Sequence, residues 1–244
     1  MTYKLLIIGV LSLLLSSGAQ AALIARGTDM VYDDVNNITW AADANLFKTQ
    51  AASNSNLVSE IIAANSGVIH DTPNGHDTVA NSGVYSLTSA DFDTSNGGMT
   101  WWGAQAWANN LSLGGYTDWY LPSIDPAVLG VNQTGSQLGN LFYTQLGGVA
   151  NTSITTTHNA NYNLFSNVQS SVYWSSSEYA PDPSNAWIFI TGNGGQYPNV
   201  KDIQFYAWAV RPGDVAAVPL PGAVWLFLSG LIGFMGLKRR GHIG

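Results

Sequence analysis

The sequence predicts a single α+β domain with short twisted antiparallel sheets, one or two packed helices and long loops. Three observations lead to this prediction. Apolar residues recur at helical spacing after Thr100, short aromatic and β-branched runs are separated by turn residues, and the segments between them are rich in Asn, Asp, Ser and Gly. An apolar run near the C-terminus predicts a transmembrane helix outside this domain.

The strongest helix signal lies within residues 97–123. Thr100 is the expected N-cap, because its hydroxyl can accept a bond from an unpaired backbone N–H. Gly114-Gly115 is expected to end the helix, since glycine adopts the left-handed conformation without a Cβ penalty. Extended chain follows as far as Pro122, which cannot donate to a sheet. The apolar stripe consists of Trp101, Ala104, Trp107, Ala108 and Leu111.

Nine tryptophans occur in the chain. Core packing is their expected role, and stacking on sugar rings is the alternative for any that are exposed. The predicted motif and core residues are Trp40, Trp101, Trp107, Trp119, Pro122, Trp174, Trp187, Trp208 and Arg211.

Other short elements are expected on both sides of residues 97–123. They are a hairpin of strands 30–32 and 38–40, helices 47–52, 57–64 and 138–146, and strands 171–174, 186–191 and 205–210 with a turn at 192–195.

Residues 65–98 are polar and predict a long irregular loop, a kind of segment that often carries function. Two His-Asp pairs flank a Pro-Asn-Gly turn as a conceivable metal site, and two further aspartates near Asn96 could offer oxygen ligands to calcium. A solvated loop is the alternative, because the spacing matches no complete calcium loop. No cofactor is expected, with calcium the one candidate. The residues concerned are His70, Asp71, His76, Asp77, Asp91 and Asp93. A second candidate ligand loop is 175–185.

No catalytic residues are predicted, and the protein is expected not to be an enzyme. Ser175-Ser176-Ser177 lacks a nucleophile elbow and a nearby His, so a strand-end turn with hydroxyl-to-backbone bonds is expected there. No P-loop or dinucleotide fingerprint is present. The absence of cysteine excludes disulfides and thiolate chemistry. A metal-dependent enzyme using residues 70–77 is kept as an alternative.

The two ends of the chain predict export and membrane insertion. Residues 1–21 form a secretory signal peptide with a small-residue exit at Ala19 and Ala21, and cleavage is expected after Ala21. Residues 22–214 form the domain, and 215–244 hold a linker and a transmembrane helix at 219–237. Lys238, Arg239 and Arg240 follow that helix and place the C-terminus in the cytoplasm.

The domain is strongly acidic once these ends are removed. Four basic residues remain against all 15 acidic ones, which gives a formal net charge of −11. Such a body has no basic surface for a polyanion, so no nucleic-acid partner is expected.

Four blocks of sequence carry a family resemblance, at residues 31–45, 99–123, 172–195 and 205–214. Their order and content resemble the Lcl C-terminal domain family, a domain of unknown function related to the C-type-lectin-like and formylglycine-generating-enzyme folds. The resemblance implies a lectin-like domain. It does not imply the oxidation carried out by the enzymatic relatives, which depend on cysteines, and the charge of −11 argues against the sulfated glycosaminoglycans bound by the family's adhesin.

The C-terminal segment resembles a PEP-CTERM sorting signal of the VPLP subtype. The segment includes Val218, Pro219, Leu220, Pro221 and Gly222, with Leu220 in place of the usual Glu. This resemblance implies recognition and cutting by an exosortase-type membrane transpeptidase, transient insertion in the inner membrane, and a final location at the cell surface or outside the cell. An ordinary single-span anchor is the alternative.

The expected function is a secreted, surface-sorted, non-enzymatic protein that binds carbohydrate or matrix, with exopolysaccharide of a biofilm as the partner. A structural matrix protein without a discrete ligand is the second hypothesis.

Overall fold

A computed structural model describes residues 23–124 and 128–215. The strands are β1 (Leu23–Arg26), β2 (Met30–Asp33), β3 (Ile38–Ala41), β4 (Val68–His70), β5 (Val84–Ser86), β6 (Val172–Glu178), β7 (Asn185–Ile190), β8 (Gly195–Val200) and β9 (Val210–Pro212). The helices are α1 (Leu46–Ser53), α2 (Leu57–Ala64), α3 (Trp101–Asn110) and α4 (Gln137–Asn140), which continues as a π-turn over Leu141–Gln145. Short 3-10 helices lie at Ser89–Asp91 and Ala160–Leu164.

The largest sheet joins the two ends of the domain. Its strand order is β1-β2-β3-β9, and all its neighbours are antiparallel. The β2–β3 hairpin is confirmed, and its register places Val31 opposite Trp40. Asp33 is buried, and its carboxylate stabilises the turn by accepting the backbone N–H groups of Val35 and Asn36. Antiparallel strands can be linked by such short turns without a crossover.

The second sheet is a three-stranded meander, β6-β7-β8. The ends of β6 and β8 lie at the candidate site described below. Its strands are antiparallel, with a register shift in β6 between Trp174 and Glu178. A bulge of this kind re-aims the side chains that follow it. The expected turn at 192–195 is confirmed by the β7–β8 hairpin, in which Gly194 has φ +78°.

Helix α3 begins where the sequence predicts, because the Thr100 hydroxyl accepts the Gly103 N–H. The predicted apolar stripe is buried throughout. The helix ends at Asn110, however, so the expected stop at Gly114-Gly115 is wrong. Those glycines, with φ of +63° and +83°, instead form a tight turn in which Leu113 and Tyr116 pair. The expected left-handed conformation of both glycines is confirmed, but the helix ends about one turn before them.

Eight of the tryptophans lie in the described residues, and every one is buried. They are divided between two clusters, one around α3 and one around Trp40, Trp187 and Trp208. Indole N–H groups fix several of them to the backbone, as when Trp174 donates to the Met99 carbonyl and Trp208 to the Ala41 carbonyl. The core role is therefore confirmed for these eight side chains, and none offers an exposed face to a sugar.

The predicted α+β class with antiparallel sheets is confirmed, with four helices instead of one or two. Residues 65–98 are not wholly irregular, since β4 and β5 pair there. The expected strand at 205–210 is mostly single bridges, and β9 begins only at Val210. Helices α1 and α2 match their predictions closely.

The predicted signal peptide and the 219–237 helix lie outside the described residues. Within 23–124 and 128–215, no helix has the length and apolar character needed to cross a membrane.

Candidate functional site

The two loops proposed from the sequence, 65–98 and 175–185, meet in the structure at a buried lysine. Lys201 follows β8 and is completely buried. Its Nζ lies 2.6 Å from Asp71 Oδ2 and 3.4 Å from Glu178 Oε2. The backbone N–H of Thr72 donates to Glu178 Oε1 at 3.2 Å, which fixes the first loop to the end of β6. We call these three side chains the lysine cluster.

Aromatic rings form the walls of the lysine cluster. Lys201 Nζ lies 4.3 Å from the ring centroid of Trp101 and 5.6 Å from that of Trp102. The Trp102 indole N–H donates to Asp71 Oδ2 at 2.9 Å, and the Asn74 amide donates to the same oxygen at 3.2 Å. Trp102 is itself held by Tyr85, whose ring is stacked on it at 3.8 Å. The cluster is thus shielded from water on its apolar sides.

The carboxylates of the cluster retain unused acceptor atoms. The Asp71 side chain is 1% exposed and the Glu178 side chain 24%. Asp71 Oδ1 and Glu178 Oε2 are buried without a hydrogen-bond partner. Buried polar atoms are nearly always paired in proteins, so two such oxygens beside one ammonium group mark an unusual site.

The other predicted members of the 70–77 loop do not converge on a common point. His70 is exposed at the end of β4, and the His76 ring packs against Trp102 with centroids 5.6 Å apart. Asp77 Oδ2 accepts the backbone N–H groups of Asn74 and Gly83, which closes the loop on itself. Only Asp71 of these four residues reaches the lysine cluster.

Asp91 and Asp93 hold local structure. Asp91 forms a capping box with Thr88 and accepts the hydroxyls of Tyr85 and Thr100. Burial raises the pKa of Tyr85, and its bond to Asp91 raises that pKa further. The Ser95 hydroxyl donates to Asp93 and is the main reason that the Asp93 pKa is lowered. Across 23–124 and 128–215, no three His, Asp or Glu side chains form a metal-binding group. Calcium or metal binding by these residues stays a prediction.

The remaining predicted motif residues are part of the scaffold. Arg211 forms a two-pronged pair with Asp118, at 2.8 and 3.0 Å, and stacks over Tyr116. The Pro122 carbonyl accepts the Ser176 N–H, and Ser175 donates to the Trp187 carbonyl. The serines lie within β6, so the expected strand-end turn is wrong although the expected hydroxyl-to-backbone bond is present.

A polar pocket of about 320 Å³ lies apart from the lysine cluster. Its walls come from α1 with the residue before it, and from the segment that precedes β6. The two walls meet where Asp43 pairs with Ser166. Asp43 Oδ2 accepts the Thr49 hydroxyl and the Asn167 amide and so holds the two walls together. The lining residues are Asn45, Lys48, Thr49, Ala52, Asn167 and Gln169.

Lys48 differs from the other basic residues of the described chain. Arg26 pairs with Asp214, Arg211 with Asp118, and Lys201 with Asp71. Lys48 forms no ion pair within 23–124 and 128–215, and it is exposed at the rim of the polar pocket.

Sequence reasoning missed the roles of Lys201, Glu178 and the pocket residues. One signal was available in the sequence. Only four basic residues lie in the domain against 15 acidic ones, so each basic residue could be expected to pair with a carboxylate. The predicted signal and sorting residues, Ala19, Ala21, Val218, Pro219, Leu220, Pro221, Gly222, Lys238, Arg239 and Arg240, lie outside the described residues.

A sequence model of the Lcl C-terminal domain matches residues 29–211, and the chain belongs to this family. The match covers strands β2 to β8 completely and β9 except for its last residue, and it leaves out β1. None of the curated proteins compared with the chain matches it.

Proposed function

We propose that this member of the Lcl C-terminal domain family is an exported, non-enzymatic protein that binds carbohydrate in an extracellular polysaccharide matrix. The observation that carries the proposal is the polar pocket, which is lined by amide and hydroxyl groups and has a free lysine at its rim. Planar amides and hydroxyls are the groups that hydrogen-bond to sugar hydroxyls.

The pocket offers mainly acceptors to a ligand. The Thr49 hydroxyl already donates its proton to Asp43, and the Gln169 side-chain amide donates to the backbone carbonyl of Asn167. The carbonyl oxygens of the Asn167 and Gln169 side chains are left to receive sugar hydroxyl protons, while Lys48 supplies a donor. Binding is therefore expected to depend on hydrogen bonds and not on aromatic stacking.

The arrangement of the sheets is consistent with a lectin-like scaffold. The first and last strands of the described chain lie in one sheet, and the described chain between β5 and β6 consists of short helices and irregular segments. This supports the lectin-like likeness inferred from the sequence blocks. Function in such folds resides in sites on the loops, so the ligand must be identified at the pocket itself.

The termini support the cellular part of the proposal. The N-terminal signal and the Val-Pro-Leu-Pro segment with its basic end are those of a chain that is exported and then sorted by an exosortase-type transpeptidase. Mass spectrometry of the mature C-terminus in native cells tests this. A new C-terminus near residues 219–222 is expected, and uncut protein in the inner membrane would contradict it.

A glycan-array screen with and without calcium tests ligand binding. Gln169→Ala should reduce binding at least several-fold, because it removes an amide from the pocket wall. Asn163→Ala is the control, since Asn163 is exposed and does not line the pocket. Absence of binding to neutral glycans, acidic glycans and the cells' own polysaccharide would defeat the proposal.

A structural matrix role without a discrete ligand is the second candidate. Burial of all eight described tryptophans, together with a pocket that has no aromatic lining, favours it. The same screen separates the two candidates, because a purely structural protein would bind no glycan and Gln169→Ala would change nothing.

A further inference from the structure

We propose that Lys201 and Asp71 join through an intramolecular amide bond, with Glu178 carrying the protons. The two residues are 130 positions apart in sequence, and Lys201 Nζ lies 2.6 Å from Asp71 Oδ2, an oxygen bonded to the carbon that the amine would attack. The side chains are 0% and 1% exposed. This covalent cross-link is independent of ligand binding at the polar pocket.

Contact between an amine and a carboxyl group removes most of the entropic barrier to condensation. Well-oriented intramolecular reactions reach effective molarities on the order of 10⁵ M or more. The fold supplies the orientation, since Asp71 follows β4 and Lys201 follows β8, and both are held by the packed tryptophans of α3. No other lysine in the described residues lies in contact with a carboxylate.

An ammonium group must lose a proton before it can attack, and Glu178 is placed to accept it. Its Oε2 lies 3.4 Å from Lys201 Nζ and has no hydrogen-bond partner. Its Oε1 accepts the Thr72 N–H, which fixes the carboxylate in place. A fixed carboxylate at this distance from the nucleophile is the arrangement required for general acid–base catalysis.

The electrophile is polarised by two further donors. Trp102 Nε1 and Asn74 Nδ2 both point at Asp71 Oδ2, at 2.9 and 3.2 Å. Donors aimed at one oxygen stabilise the negative charge that develops on it in a tetrahedral intermediate. The opposite oxygen, Asp71 Oδ1, has no hydrogen-bond partner and is the atom expected to leave.

The reaction balances without an added reagent. Glu178 takes a proton from the Lys201 ammonium group, and the resulting amine forms a bond to Asp71 Cγ. Glu178 then delivers protons to Oδ1, so that the Cγ–Oδ1 bond breaks and water departs with two of the three ammonium protons. Glu178 is regenerated as a carboxylate, and no oxidation occurs. Removal of two buried charges favours the product, because each buried ion carries a large desolvation cost.

The cross-link would supply a covalent constraint that this cysteine-free chain cannot obtain from a disulfide. It would tie the β4–β5 loop to the end of β8 across the α3 side of the core. Linking positions so distant in sequence restricts the unfolded chain strongly, since the loop-closure entropy rises with loop length.

Mass spectrometry of the purified full chain tests the bond directly. After denaturation and digestion, the peptide containing both Asp71 and Lys201 should be one water molecule lighter than its sequence predicts. Trypsin should not cut after Lys201, because the acylated side chain has lost its charge, and a digest at aromatic residues should give a branched peptide.

Variants assign the roles. Glu178→Gln is nearly isosteric and keeps an oxygen for the Thr72 N–H, so it should fold, retain its near-ultraviolet circular dichroism and lose the cross-link at least tenfold in yield. Lys48→Met is the matched control and should cross-link fully. Unchanged peptide mass in folded wild-type protein, with normal tryptic cleavage after Lys201, would overturn the proposal. Full cross-linking in Glu178→Gln would overturn the role of Glu178.

Discussion

Lys201 and Lys48 are the same chemical group placed by one fold in opposite surroundings. Lys201 is completely buried between Asp71 and Glu178 and is covered by two indole rings. Lys48 is exposed on α1, at the rim of a pocket of about 320 Å³, and forms no ion pair in the described part of the chain. The Lys201 side chain is enclosed by the protein, whereas the Lys48 ammonium group is available to a ligand.

The difference shows how burial decides what a charge can do. A buried ion is tolerated only with partners, and removing one partner leaves an uncompensated charge in the interior. An exposed lysine carries little of the stability, because solvent already satisfies it. We therefore expect mutations at the two lysines to separate stability from binding.

Lys201→Met tests this comparison with the largest expected effect. The variant removes both the ammonium group between Asp71 and Glu178 and the amide bond that it would form, so the free energy of unfolding should fall by at least about 3–5 kcal/mol. Lys48→Met should change it by less than about 0.5 kcal/mol. Urea denaturation measures both values, and equal effects from the two variants would contradict the structural role assigned to Lys201.

Gly97→Ala tests whether stability and glycan binding depend on the position of Asn45 in the polar pocket. Gly97 has φ +97°, and a Cβ there would overlap the side chain of Asn45, which lines the pocket. A loss of about 1–3 kcal/mol in unfolding free energy is expected, together with weaker glycan binding, because Asn45 must move.

Gly115→Ala is the matched control for that change. Its φ is +83°, but a Cβ would meet nothing within 4 Å. Only the backbone penalty of about 1 kcal/mol should appear, and glycan binding should be unaffected. If both variants bind glycan normally, the pocket does not depend on the position of Asn45.

The two arginine pairs are intermediate in burial between the two lysines, and a small effect on stability is expected from each. Arg211 lowers the pKa of Asp118, and Arg26 lowers that of Asp214, in each case mainly through the side-chain hydrogen bond. A lowered folded-state pKa stabilises the protein above the ordinary value of 3.8, and this stabilisation is lost as the pH falls through the lowered value.

Urea denaturation at a series of acidic pH values measures this loss. The two carboxylates are 47% and 38% exposed, so solvent screening limits each contribution to below about 1 kcal/mol. Asp118→Asn should flatten the acid dependence slightly. Asp29→Asn is the control, since Asp29 is exposed and forms no ion pair in the described residues. The reverse order would show that the arginine pairs do not carry the dependence.

Local patterns predicted the elements whose hydrogen bonds and apolar stripes are short-range. The Thr100 cap, the β2–β3 hairpin and helices α1 and α2 are all formed as expected. The pattern failed for β4 and β5, which are three residues each and lie in a polar segment. Strands this short depend on packing against the rest of the fold, here against the Trp102 side of α3, and leave little periodicity to read.

The sequence predicted the two loops of the candidate site and one of its three residues, Asp71. Loops 65–98 and 175–185 do meet, but His70, His76, Asp77, Asp91 and Asp93 serve other positions, and the central residue is Lys201. Nothing near Lys201 in sequence indicates burial, since its neighbours Val200 and Asp202 are exposed. The partners that bury it lie in segments far away along the chain.

The sequence by itself determined the α+β class, the Lcl C-terminal domain family, the acidic charge balance and the burial expected for the tryptophans, because composition and short-range pattern carry these properties. Only the tertiary structure decided which lysine is enclosed and which is free. That choice depends on contacts such as Lys201 to Asp71, 130 residues apart, and such contacts exist only after the sheets and α3 have packed together.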